Sequence, residues 1–200
     1  MTHHHPHKHL GAACPRGTPA EHLHREEHHG EQGWEGEVRA HVGANPVVLG
    51  VGSTIKGDDG AGPMAAEGLA ARGMKNAFNC GGVPENFVAK VEKVAPTDVI
   101  FVDVVDFDEE PGTIEFFGGD RFDAQSFSTH SAGLSPLMDF LSRSCSACCW
   151  VISIQPERLG YSTELSGTVK RAVEEIVSSD VWLRWGAHQQ MRGSCSPLSI

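Results

Sequence analysis

Val47-Val-Leu-Gly-Val-Gly-Ser-Thr-Ile-Lys-Gly-Asp-Asp-Gly-Ala-Gly-Pro63 decides the fold. Val47 to Val51 is a short continuous apolar run, the pattern of a buried strand. Gly62-Pro63 then opens a helix, with proline at a first position where its missing N–H costs nothing. Ala65, Ala66, Leu69 and Ala70 give that helix an apolar face, and Gly73 stops it. Between strand and helix lies a glycine-rich loop carrying Asp58 and Asp59.

The same alternation extends C-terminally. Ala77 to Cys80 predicts a weaker strand, and a helix follows from Glu85 with Phe87, Val88, Val91 and Val94 on one face. Val99-Ile-Phe-Val-Asp103 is the second strong buried strand, and Thr113 to Phe117 follows the Pro111-Gly112 turn as another. Leu134, Leu137, Met138 and Leu141 mark a helix from about Ala132. Trp150 to Ile154 reads as the last strand, and Ser166 caps a final helix carrying Val169, Val173, Ile176 and Val177. Strands alternating with helices of this length imply βαβ units. The expected fold is a three-layer α/β domain, a mostly parallel twisted sheet flanked by helices on both faces. It spans residues 34–185, with a short leading helix over Trp34 to Val42. Residues 1–33 are rich in His, Glu, Gly and Pro with almost no large apolar residues, which predicts a disordered His-rich tail. Residues 186–200 are expected to form a C-terminal tail.

The chain has 200 residues and a net charge of −10, from 16 Lys plus Arg against 26 Asp plus Glu. That balance excludes a general nucleic-acid binder or a polybasic membrane binder. Neither a membrane-length apolar run nor a signal-peptide stretch is visible, so a cytoplasmic protein without stable membrane insertion is expected. Cys145-Ser-Ala-Cys148-Cys149 contains one CxxC but lacks the second pair or two histidines of a structural zinc site. Its cysteines read as buried thiols.

In such a fold, strand C-termini and the following helix N-termini share one edge of the sheet, where ligands bind. Five loops bring polar residues there: the Asp58-Asp59 loop, Glu85-Asn86, Asp103 with Asp106, Ser128-Thr129-His130, and Gln155. The first loop fails as a dinucleotide fingerprint, because Ile55 stands where the third glycine belongs. It also fails as a P-loop, because Asp58-Asp59 replaces the Lys-Ser/Thr and would repel phosphate. Two aspartates make the edge cation-seeking. Asp59, Asp103 and His130 form an open set of two oxygens and one imidazole, suited to nickel, zinc, manganese or iron. Each alone has an ordinary reading as a helix cap or a strand-end residue; their shared edge is what singles them out. Asp58 and Asp106 are weaker candidates. Glu85 is placed to bond donors at its helix start, and Asn86 to hold its loop.

Val48 to Pro63, Gly82-Val-Pro-Glu-Asn86, Val99 to Asp106, Ser128-Thr129-His130 and Ile154-Gln-Pro-Glu157 together resemble, in order and spacing, the motifs of the [NiFe]-hydrogenase maturation proteases. The resemblance covers about residues 36–182. It implies an aspartic-type endopeptidase that removes a C-terminal extension from a hydrogenase large-subunit precursor after nickel insertion. It also implies that Asp59, Asp103 and His130 are the catalytic and nickel-sensing set. Asp58, Glu85, Asn86, Asp106 and Gln155 would then line the substrate and loop positions. The nickel is held by the substrate and completed by the site. One departure is Ser53, where relatives usually carry Asn; a serine keeps a loop hydrogen bond.

Ten of the 12 histidines lie in the first 41 residues. His3, His4, His5, His7 and His9 have chelating spacing for zinc or nickel. An alternative function is therefore a nickel- or zinc-binding storage or delivery protein that uses this tail. Deletion of residues 2–30 separates the readings. For an enzyme whose tail is dispensable, precursor processing at low nickel persists. For a metal-delivery function, it is lost.

Overall fold

The computed structural model describes residues 33–119 and 131–185, the side chains of 131–133 excepted. The expectations for the N-terminal 1–32 segment, Ser128-Thr129-His130 and the 186–200 tail lie outside the described residues.

Helix α1 (Gly33–His41) is followed by β1 (Pro46–Val51), α2 (Ala61–Ala71) and β2 (Ala77–Gly81). Then come α3 (Val88–Val94), β3 (Asp98–Val104), β4 (Ile114–Gly118), α4 (Ser131–Cys145), β5 (Cys148–Ile154) and α5 (Gly167–Ser178). Single turns of 3₁₀ helix precede α2 (Asp58–Gly60) and α3 (Pro84–Phe87). The five strands form one sheet in the order β2-β1-β3-β5-β4. The first four run parallel, and β4 pairs antiparallel with β5. The antiparallel edge has a simple cause: the 105–113 connection carries no helix to return the chain to the sheet's other end, as a parallel crossover requires.

Strand periodicity sends alternate residues to opposite faces. Val48, Ile100, Val102 and Ile152 pack with α1, α2, α5 and the tryptophans Trp34, Trp182 and Trp185. Val47, Leu49, Phe101 and Val151 pack with Val91 of α3 and Leu134, Leu137 and Leu141 of α4. β1 and β3 are buried along their whole length, as their uninterrupted apolar runs predict. Ser166 caps α5, its hydroxyl accepting from the Val169 N–H. Val169, Ala172, Val173 and Ile176 of that helix are buried, each valine or isoleucine contributing about 1.5–3 kcal/mol.

β2 lies on one side of β1 and β3 on the other, so the chain changes direction between β1 and β3. That topological switch point is where open α/β sheets bind ligands. One glycine brings the first turn of α2 down onto it. A Cβ at Gly62 would lie 2.2 Å from the Val102 carbonyl oxygen and 2.3 Å from that of Val51. Only glycine permits this approach, and it holds the Asp58-Asp59 turn directly over the ends of β1 and β3.

Candidate active site

Asp59 follows β1 and is almost fully buried. Its Oδ2 accepts from the Ser53 N–H at 2.9 Å. Because the backbone of Ser53 makes this bond, the residue type at that position matters little to it. Gly52, at φ 130, lets the loop turn back beneath; a Cβ there would lie 1.9 Å from the Asp59 carbonyl oxygen.

Asp103 reaches the same place from the end of β3. It is completely buried, and its Oδ1 accepts from the Val104 N–H at 2.8 Å. Among the described residues its Oδ2 is buried without a hydrogen-bond partner. The hydroxyl of Ser153 is in the same condition, and Ser153 stands in register beside Asp103 on β5. Burial pushes the Asp103 carboxyl up to about 8. The Val104 N–H pulls against that shift, and the charge of Asp59 adds to it. A carboxyl from the turn after β1 and one from the end of β3 are thus brought near each other, with one oxygen of Asp103 left, among the described residues, for a donor or a cation. Among the described residues no third metal-ligating side chain joins them. His130 lies outside the described residues and directly precedes Ser131, the first residue of α4.

A cleft of about 240 Å³ opens beside Asp59, lined also by Lys56, Leu159, Gly160 and Tyr161. Its walls are the 53–57 and 157–162 loops. They are tied by Gly57 N–H to the Ser162 carbonyl (2.7 Å) and Ser162 N–H to the Ile55 carbonyl (3.2 Å). Asp58 anchors the second loop. Its Oδ2 accepts from the Glu157 N–H (3.0 Å), the Arg158 N–H (2.8 Å) and the Ser166 hydroxyl (3.0 Å); its Oδ1 accepts from the Ser166 N–H (2.6 Å). Asp58 is itself completely buried, so it holds the loop in place and presents no free face to a ligand.

Residues 65–180 match the family model described as hydrogenase maturation protease, HycI. The chain belongs to the hydrogenase maturation proteases. It is 34% identical over 134 residues to the hydrogenase 3 maturation protease of Escherichia coli K12, a match covering 65% of this chain and 85% of that one. The solution structure of the E. coli endopeptidase HycI superposes with a TM-score of 0.62 at 29% identity, covering 71% of this chain and 93% of that one. The crystal structure of the [NiFe] hydrogenase maturation protease HycI from Thermococcus kodakarensis gives 0.61 at 27% identity, covering 67% and 88%. The α/β architecture and the endopeptidase class are thereby shared with these relatives.

In this maturation protease the remaining residues singled out from sequence separate by position. Gln155 is buried and knits the loop after β3: its Oε1 accepts from the Phe107 N–H at 2.9 Å, and its Nε2 donates to Asp106 Oδ1 at 3.0 Å. Asp106 is exposed and also accepts from the Asp108 N–H. Glu85 and Asn86 are exposed on the 3₁₀ turn before α3. Ser153 and Lys56 escaped sequence reasoning. The signal for Ser153 was one polar residue inside the otherwise apolar Val151-Ile-Ser-Ile154 run. Cys80, Cys145 and Cys149 are free thiols. Burial pushes the Cys80 and Cys149 thiols up to about 12, so neither offers a thiolate nucleophile at neutral pH.

Proposed function

We propose that this hydrogenase maturation endopeptidase removes the C-terminal extension of a [NiFe]-hydrogenase large-subunit precursor in the cytoplasm, after nickel has entered that precursor. The observation that carries the reading is the pair of buried carboxyl groups, Asp59 and Asp103, at the switch point, with no partner for Asp103 Oδ2 among the described residues. Nickel arrives as part of the substrate, held by the precursor's own cysteines. Asp59, Asp103 and His130 complete its coordination, so an unloaded precursor gains no such bond and is not held for cleavage. Oxygen and imidazole ligands suit a borderline cation of this kind.

In the aspartic-type reaction, a carboxylate takes a proton from water as its oxygen adds to the scissile carbonyl. The C–N bond then breaks, the amine leaves with a proton, and a new carboxyl terminus remains. Asp103 is suited to hold or release that proton near neutral pH, because burial has brought its carboxyl to about 8.

The test incubates the protein with nickel-loaded and nickel-free precursor and reads the products by mass. Only the loaded precursor is expected to lose its extension. Asp59→Asn and His130→Ala are each expected to leave it uncut with circular dichroism unchanged. Normal processing by both variants would remove those residues from the site.

A further inference from the structure

We propose that the cleft between the 53–57 and 157–162 loops is the substrate subsite beside the scissile bond. It receives an apolar side chain of the precursor's C-terminal segment, while Lys56 holds a carboxylate of the same segment. This rests on the proposed function, since it takes Asp59 as part of the reacting centre.

Four observations converge on the cleft. First, Asp59 is one of its lining residues, so whatever occupies it lies against one member of the candidate catalytic pair. Second, Ile55, Leu159 and Tyr161 are 57%, 51% and 93% exposed on the two loops that form it. Adjoining apolar side chains held in water mark a contact surface for another molecule. Third, the surface is preformed. The two cross-loop backbone bonds and the four bonds to Asp58 fix both walls before any ligand arrives, which reduces the ordering cost of binding. Fourth, among the described residues Lys56 supplies the one cationic side chain of the lining. An apolar wall with a lysine in its lining fits an extended polypeptide bearing an apolar residue near a carboxylate. It does not fit a phosphate-rich ligand, because Asp59 forms part of the same lining.

Gly160 gives a clean test. A Cβ there meets nothing within 4 Å, so a larger side chain enters open space without disturbing the fold. Gly160→Leu is expected to raise KM for nickel-loaded precursor roughly 10-fold with kcat within about twofold, the signature of lost binding common to ground and transition states. Lys56→Glu is expected to raise KM by a similar factor and to reverse the salt dependence of KM. Thermal denaturation midpoints of both variants should match the unmodified protein. Unchanged KM in both Gly160→Leu and Lys56→Glu, with the unmodified protein cutting normally, overturns the subsite and leaves the proposed function standing. If the unmodified protein leaves loaded precursor intact, the proposed function fails and the subsite falls with it.

Discussion

Asp58→Ala is expected to lower stability by about 3 kcal/mol or more, because it leaves four donors without their acceptor. These are the N–H groups of Glu157, Arg158 and Ser166 and the Ser166 hydroxyl, of which both Ser166 groups are buried. The loss also reaches the cap of α5, since Ser166 is its N-cap. For a domain of this size, about 3 kcal/mol corresponds to a fall of roughly 6–12 °C in the denaturation midpoint. Asp58→Asn should cost less. Its single carbonyl oxygen can keep the three bonds made at Oδ2, while its amide faces the Ser166 N–H and loses the fourth. Calorimetry of both variants, with limited proteolysis of the 157–166 loop, provides the check. A midpoint shift of under about 2 °C for the alanine variant would show that the loop is held by something else. The proteolysis arm ties stability to function, because the same loop forms one wall of the cleft beside Asp59.

Asp103→Asn is expected to make the protein more stable and catalytically incompetent. The wild-type carboxyl ordinarily titrates near 3.8 and is raised to about 8 in the fold. Its folded-state value therefore lies above its unfolded-state value. The native state binds the extra proton between those limits, so stability is fully present below about pH 4. It is lost progressively as pH rises to about 8, and the loss levels off above. The loss is on the order of several kcal/mol. An asparagine keeps the bond from the Val104 N–H through its carbonyl oxygen and carries no charge to desolvate. The two proteins should match below about pH 4, and the variant should be the more stable by several degrees at pH 8. Precursor processing should fall by roughly 10²-fold or more, the scale of losing a positioned acid–base group. Denaturation curves collected from pH 4 to 9 test the first half, and product mass against time the second. Parallel stability profiles for the two proteins would mean that folding leaves the Asp103 carboxyl at its ordinary value.

Both variants concern aspartates that look alike in the sequence. The contrast between neighbours Asp58 and Asp59 shows where local reading stops. Both were placed correctly on the glycine-rich loop after β1, because the strand–loop–helix pattern is local. Their division of labour was not legible. They sit on a 3₁₀ turn, where successive side chains point about 120° apart. One therefore meets the 157–166 loop and the other faces Ser53 and the cleft. The donors that engage Asp58 are 99–108 residues away in the chain. Gln155, expected at a substrate or loop position, satisfies the backbone of the loop after β3.

The sequence by itself determined the alternation of strands and helices, the two fully buried central strands and the placement of Asp59 and Asp103 at one edge. Those features follow from hydrophobic period, proline and glycine position, and capping, all of which act over a few residues. Tertiary structure alone decided the antiparallel β4 edge, the register that sets Asp103 beside Ser153, the burial that lifts the Asp103 carboxyl to about 8, and the cleft closed by two distant loops. Each of these depends on which segments, far apart in the chain, exclude water from one another, and no local pattern encodes that exclusion.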